Sequence, residues 1–404
     1  MRKTALFTVT VATALAFLSS AASPAAAATL KATTSNFSSV WSSAQGGDVI
    51  MLSAGTYSFS GGSKSGMVTI QPDTSAGANQ SNVIFGRLDL GSAQNVTFQN
   101  VTIGGATVGT GTTAALHIHF VGNKFTGPLC INTPTNVNQD TLVDGNTFIN
   151  VGQSCTEGRI GVTGNNKSHS VANGVVISNN LIQGSGPSDG IQINGGAYGT
   201  VIGPGNEFTG IKQSGCGSVH CDPIQFYGAS NTQIIGNYFH GNSTGIMSPD
   251  CNGTKLTVKD NVFVTDGEYP DQVVQAGSSG DVYSHNTFAN GARIRFGNPN
   301  GCGLNSNATI TNNIITGGLR LTEGQSTGNF TISYNLMPSA SGTQALTGQP
   351  TYSGGSLPNT LEGFALTSSS LGYRAASDGG DMGATLKSMP AALAPPTNVA
   401  VTVR

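Results

Sequence analysis

Two short stretches of the chain share a pattern that could do chemistry: Ser188-Asp189-Gly190-Ile191-Gln192-Ile193 and Cys221-Asp222-Pro223-Ile224-Gln225-Phe226. Each opens on a carboxylate and runs into an alternating apolar strand. Paired carboxylates held roughly 5 to 9 Å apart are what glycoside hydrolysis uses, one as proton donor and one as base or nucleophile. Their repulsion raises one pKa and so separates the two roles. His220 lies two residues before Asp222, between Cys216 and Cys221, and would serve as a further acid or base. A lone aspartate at a strand start more simply caps backbone N–H groups. It is the repetition, in a chain with only 9% charged residues, that singles these two out.

Further along, Arg293-Ile294-Arg295 places two guanidinium groups on either side of an apolar residue, suited to gripping the carboxylate of an acidic sugar. Salt bridges on an outer face would explain them equally well. Lys212, Tyr269, Gln192 and Gln225 are the other expected substrate contacts. Elimination is the alternative chemistry: it needs a base near the abstracted proton and a cation on the substrate's carboxylate. Lys212, His220 or an arginine would be that base, and Asp189, Asp222 and Asp250 would be the ligands of a Ca²⁺ ion. Hydrolysis calls for no cofactor.

These residues meet only if the chain stacks, and a repeat says that it does. An apolar strand, a small or polar residue, Asn, then an aromatic or aliphatic residue recurs ten times, at Asn100, Asn123, Asn146, Asn180, Asn206, Asn237, Asn261, Asn286, Asn313 and Asn335. The steps are 23, 23, 34, 26, 31, 24, 25, 27 and 22 residues. Such a period fits one coil of a parallel β-helix, in which the asparagines form a ladder that satisfies a buried turn. Aligning coils on the ladder puts Ile191, Ile224, Ile246, Val273 and Ile294 inside. Gln192, Gln225, Met247 and Arg295 then form one outer stripe, with Gln272 and Arg293 on a parallel one. Asp189 and Asp222 fall one coil apart. Between Asn206 and Asn237 the chain gains about seven residues, Cys216 to Cys221 among them, just before Asp222.

The expected architecture is all-β: a single-stranded, right-handed parallel β-helix with an Asn ladder, an N-terminal capping helix over Ser35 to Ala44 and a loop-rich C-terminal cap. A stack exposes its first and last layers, so both ends need covering. Arg2 and Lys3, the apolar run Ala5 to Leu18 and Ala26-Ala27-Ala28 read as an export signal. The division is then 1–28 as signal peptide, 29–389 as the β-helix with its caps, and 390–404, rich in Pro and Ala, as a flexible tail. Secretion makes disulfides reasonable for the six cysteines. Local spacing suggests Cys216–Cys221, Cys130–Cys155 and Cys251–Cys302, and the lack of any C-x-x-C argues against zinc at cysteines.

The opening Gly46-Gly47-Asp48-Val49-Ile50-Met51-Leu52, with Gly55-Thr56-Tyr57 after it, resembles the start of pectin-lyase-like β-helix proteins. That resemblance covers essentially the whole mature chain, and implies an enzyme on polysaccharides or a carbohydrate binder. Locally the chain is similar to the polygalacturonases, which carry Asn-Thr-Asp, Asp-Asp, Gly-His-Gly and Arg-Ile-Lys on successive coils. Ser188-Asp189-Gly190, Asp222 and Arg293-Ile294-Arg295 match three of these. Cys221 stands in place of that family's general acid and Ser243-Thr244-Gly245 in place of its histidine motif, so His220 or Asp189 would have to donate the proton.

Net charge is −2 with no basic run, which excludes nucleic acid as a partner, and nothing beyond the signal is long and apolar enough for a membrane. The expectation is a secreted, extracellular monomer acting on a polysaccharide, by hydrolysis ahead of elimination, with a non-catalytic adhesive β-helix as the third reading. Asp189, Asp222 and His220 are the catalytic candidates. N-terminal sequencing of the exported protein should begin at Thr29; an uncleaved start at Met1 would remove the export reading.

Overall fold

The tight turn between the first and second strands of each coil decides the architecture. One residue in the left-handed region is followed by an inward-pointing asparagine. The left-handed position is filled by Gly122, Gly145, Asn179, Gly205, Gly236, Asp260, His285, Asn312 and Tyr334, with φ between 52° and 82°. Glycine takes this conformation at no steric cost and Asn or Asp at little. The asparagine that follows is fully buried in every case, from Asn123 to Asn335. Its Nδ2 donates to Oδ1 of the next asparagine, at 2.9 Å for Asn237 to Asn261 and 3.0 Å for Asn261 to Asn286. The same Nδ2 donates back to a carbonyl of the coil below, such as Ile202 O at 3.0 Å. Asn100 does not belong to this ladder. It occupies the left-handed position at φ 54°, and Val101 takes the ladder place, its N–H donating to Asn123 Oδ1 at 3.0 Å. Two adjacent polar positions tolerate Asn, so the motif as read from sequence slips by one residue there.

The computed structural model describes residues 27–386 except 153–154, 166–168, 185, 218–219 and 251–252. Most of the expected export signal, the tail and Cys251 lie outside the described residues. Among those described, strands form three wholly parallel sheets of 13, 13 and 11 strands. A regular coil contributes one strand to each sheet, as Val175–Ser178, Leu181–Gln183 and Asp189–Tyr198 do; the end coils lack a strand in the third sheet. This is the parallel β-helix expected from the repeat. No helix among the described residues is long and apolar enough to cross a membrane.

Stacking is what fills the interior. Phe208, Phe239, Phe263 and Phe288 lie one above another in the second sheet, with centroids 4.6, 4.5 and 4.6 Å apart and planes within 12° of parallel. Each is fully buried, and burial of a phenylalanine contributes about 1.5–3 kcal/mol. The first layer is covered by the helix Phe37–Ser43, which buries Phe37 and Trp41 and ties Trp41 Nε1 to Gly61 O at 2.9 Å. The loop-rich C-terminal segment does more than close the stack. Tyr352, Phe364 and Met382 pack on Tyr238, Val262 and Ile314, the outward residues of the second sheet. It therefore lies back along the side of the helix.

Replacing a ladder residue strands buried partners on both neighbouring coils. Asn237→Ala should cost about 1–3 kcal/mol in a denaturant melt. Asn100→Gly, at a position glycine suits, should change stability by no more than about 0.5 kcal/mol.

Candidate functional site

The third sheet brings the two aspartate stretches together. Its register pairs Ile191 with Ile224, Ile224 with Ile246, Ile246 with Val273 and Val273 with Ile294. All five point inward, as the alignment on the ladder predicts. The outer row runs Gln192, Gln225, Met247, Val274, Arg295. Gln192 and Gln225, expected to be exposed, are buried beneath loops. Gln192 Nε2 donates to Glu157 Oε2 at 2.9 Å and Gln225 Nε2 lies 3.4 Å from Asp250 Oδ2. Gln272 is not on the parallel stripe: a register shift between Asp271 and Val273 pairs Arg293 with Asp271 instead. Gln272 turns into the structure and donates to Ser243 O and Tyr269 O.

At the N-terminal ends of two central strands of this sheet Asp189, His220 and Asp222 converge, each offering one atom within 4.8 Å of the others. Asp222 N–H donates to Asp189 Oδ1 at 2.7 Å, locking the two aspartates to adjacent layers. Thr244 Oγ1 at 2.5 Å and Gln213 Nε2 at 3.2 Å donate to Asp222 Oδ1. The other oxygen, Oδ2, lies 3.2 Å from His220 Nδ1, which is also 3.9 Å from Asp189 Oδ1. His220 arrives on the inserted loop. That loop turns through the short helix Gln213–Gly215 and is closed by the Cys216–Cys221 disulfide. Gln213 ties it down from within, donating to Cys221 O and accepting from Cys221 N–H. Both carboxylates are buried, with 0% and 4% of their side chains exposed, whereas His220 is 48% exposed.

Burial pushes the Asp189 carboxyl up to about 6, partly offset by its hydrogen bond with His220. The same carboxylates act oppositely on the imidazole: bonding to Asp189 and Asp222 raises His220 to about 10, against desolvation. His220 is therefore an imidazolium across the neutral range. On its far side, Nε2 lies 3.3 Å from Gln225 Nε2.

Behind the cluster sits a residue that the sequence reading missed. Arg159 is fully buried in the strand Gly158–Gly164, one layer below Asp189. It donates to Ser188 Oγ, Gln183 O and Gly184 O. Burial lowers its pKa to about 10, with Asp189 as the opposing charge. The one available signal was the rare charged pair Glu157 and Arg159, a coil ahead of Asp189 in a chain this poor in charge.

Other candidates are placed elsewhere. Lys212 is ion-paired with Asp266. Arg293 and Arg320 share Asp271, and Arg295 pairs with Glu323 at 2.7 Å, so both candidate clamps are already held by carboxylates. Tyr269 is exposed on the loop after Asp266. Asp250 bonds to Asn300 Nδ2 at 2.6 Å and does not join the metal-competent group, where a histidine stands instead of the third aspartate. That donor set does not fit the Ca²⁺ site expected from three aspartates. Cys130–Cys155 pairs as expected, and Cys302 is disulfide-bonded while Cys251 lies outside the described residues.

No protein-family model and no curated protein matches the chain. Among solved structures it is similar to the PL6-family alginate lyase AlyGC, with a TM-score of 0.53 at 14% identity, covering 89% of this chain and 58% of that one. A point variant of AlyGC gives 0.50 at 13% identity over 93% and 60%. The chain thus spans about three fifths of the length of these structures. The pectate lyase Pel9A gives 0.34 at 14% identity over 89% and 96%. At such identities the likeness is one of fold, the parallel β-helix.

In an NMR titration the His220 ring should stay protonated to about pH 10. Asp222→Asn removes one of the two anions that hold the proton and should move that titration to lower pH. An unchanged midpoint would refute the coupling.

Proposed function

We propose that this chain is a polysaccharide-active enzyme that cleaves a uronate-containing glycan by β-elimination on the outer side of the third sheet, with His220 as the proton-transfer group. One observation carries this reading: of the three clustered residues, only His220 reaches solvent. A two-carboxylate hydrolase needs both acids in contact with the sugar, on either side of the bond. Here Asp189 and Asp222 lie buried behind one imidazole. Elimination can use a single proton-transfer group, together with a cation on the substrate's carboxylate. His220 Nε2 takes the proton from the carbon next to the substrate's carboxylate, and the electron pair forms the C=C bond as the C–O bond breaks. The leaving oxygen takes up a proton from water, to which the His220 imidazolium later returns its own.

Asp222 and Asp189 would act through the ring: they hold Nδ1, fix its tautomer and stabilise the imidazolium that forms. AlyGC, whose fold the chain shares, is an alginate lyase, which agrees with this reaction class. Arg293, three layers from Asp222 or about 14 Å, and Arg295 beside it would hold a uronate further along the chain, by exchanging their carboxylate partners for it. Hydrolysis remains the second reading, favoured by the protonated state of His220, which suits a proton donor.

A screen on neutral and uronate polysaccharides separates the two. Elimination yields new reducing ends together with the ultraviolet absorbance of an unsaturated sugar; reducing ends alone mean hydrolysis. As a base, His220 must be unprotonated, so the elimination rate should climb with pH toward about 10. His220→Gln should lower it by about 10²–10⁴-fold. Full activity in that variant would end the proposal.

A further inference from the structure

Asp189, His220 and Asp222 have an arrangement that proton transfer alone does not account for. Asp189 is fully buried, yet its Oδ2 has no hydrogen-bond partner among the described residues. An orphaned carboxylate oxygen costs free energy unless something completes it. The other oxygen of Asp189, Oδ1, lies 3.9 Å from His220 Nδ1 and Asp222 Oδ2 lies 3.2 Å from the same nitrogen, all three residues offering atoms within 4.8 Å of one another. The remaining oxygen of Asp222 is fixed by Thr244 and Gln213, an outer layer of donors of the kind that orients metal ligands. The surroundings are acidic too, with Glu157 and Asp250 bonded to the adjoining glutamines.

We infer that these three residues form a binding site for a first-row divalent ion of the Zn²⁺ class, which excludes Ca²⁺ and switches His220 off. Calcium takes six to eight oxygen ligands, whereas this group offers one nitrogen and two carboxylates. Zinc takes this mixture at about 2.0–2.2 Å, which sets neighbouring donor atoms about 3.3 Å apart in a tetrahedron. The 3.2 Å separation of His220 Nδ1 from Asp222 Oδ2 matches that spacing, while the 3.9 Å to Asp189 Oδ1, within a group that spans no more than 4.8 Å, must close on binding. Three protein ligands leave a fourth position for water.

Ligation at Nδ1 replaces the proton held there and leaves Nε2 carrying its own. The ring can then neither take a proton nor pass one on, so bound ion and proton transfer exclude each other. The site stands on the cluster's geometry; only the switching rests on the proposed function.

The test is calorimetric titration of the full chain, stripped with a chelator, with Zn²⁺ and separately with Ca²⁺. One Zn²⁺ per chain should bind, Ca²⁺ at the same concentrations should not, and His220→Gln should weaken Zn²⁺ binding tenfold or more. Because His220 is half-exposed, that variant keeps the fold, which a melting curve verifies. No Zn²⁺ binding, equal binding of Ca²⁺, or binding unchanged in His220→Gln overturns the site. With a cleavable glycan in hand, Zn²⁺ should halve the rate at the concentration that half-fills the site, and full activity at saturation overturns the switch. Zinc binding by a chain that cleaves no glycan would sink the proposed function and leave the metal site standing.

Discussion

Every coil of this protein must bury the polar backbone of a sharp turn, and one side chain solves the problem each time. An asparagine offers both a donor and an acceptor, so a column of them can bond upward and downward without a leftover group. The neighbour before it must enter the left-handed region, which explains the glycines, asparagines and aspartates found there. Because each asparagine bonds to the next, coil length may vary elsewhere while the layers stay in register. Insertions are therefore pushed out of the turn and into the loops on either side of the third sheet, such as 210–223 before it and 298–308 after it.

That displacement makes a site possible. The layers on either side of Asp189 and Asp222 are held at strand spacing by the ladder and by the stacked rings of the interior, so two aspartates distant in sequence share one hydrogen bond. Burial there is costly for charge. The structure meets the cost with a backbone N–H, a hydroxyl and an amide on the carboxylates, a buried guanidinium behind them and an imidazole in front. The same burial that raises the Asp189 carboxyl leaves His220 as the group that meets solvent, and through it the buried charge can act on a ligand.

The arginines show how an outer position is read differently by sequence and by structure. Arg293-Ile294-Arg295 has the alternation of a strand with two free cations, and the strand is indeed there. Its cations are spoken for by Asp271 and Glu323, which come from the preceding coil and from the following one. Partners so far apart in sequence are joined by layer order, so they cannot be recognised from spacing alone. Asp250 shows the same dependence: it stands on the coil beyond Asp222, yet its bonds go to Asn300 and Gln225.

What the chain alone determined was the repeat and its consequences: the parallel layers, the inward isoleucines, the pairing of the aspartate stretches and the covering helix at the start. These follow from local pattern, because side-chain alternation and a fixed turn residue act over a few positions. The offset at Asn100 marks the limit of that logic, since two neighbouring positions of the turn accept the same residue for different reasons. Only the tertiary structure decided that Gln192 and Gln225 lie under loops, that Arg159 stands behind Asp189, and that the disulfide loop lays an imidazole over both carboxylates. Burial and partner choice depend on what the neighbouring coils place overhead, and on this sequence those neighbours are 20 to 35 residues away.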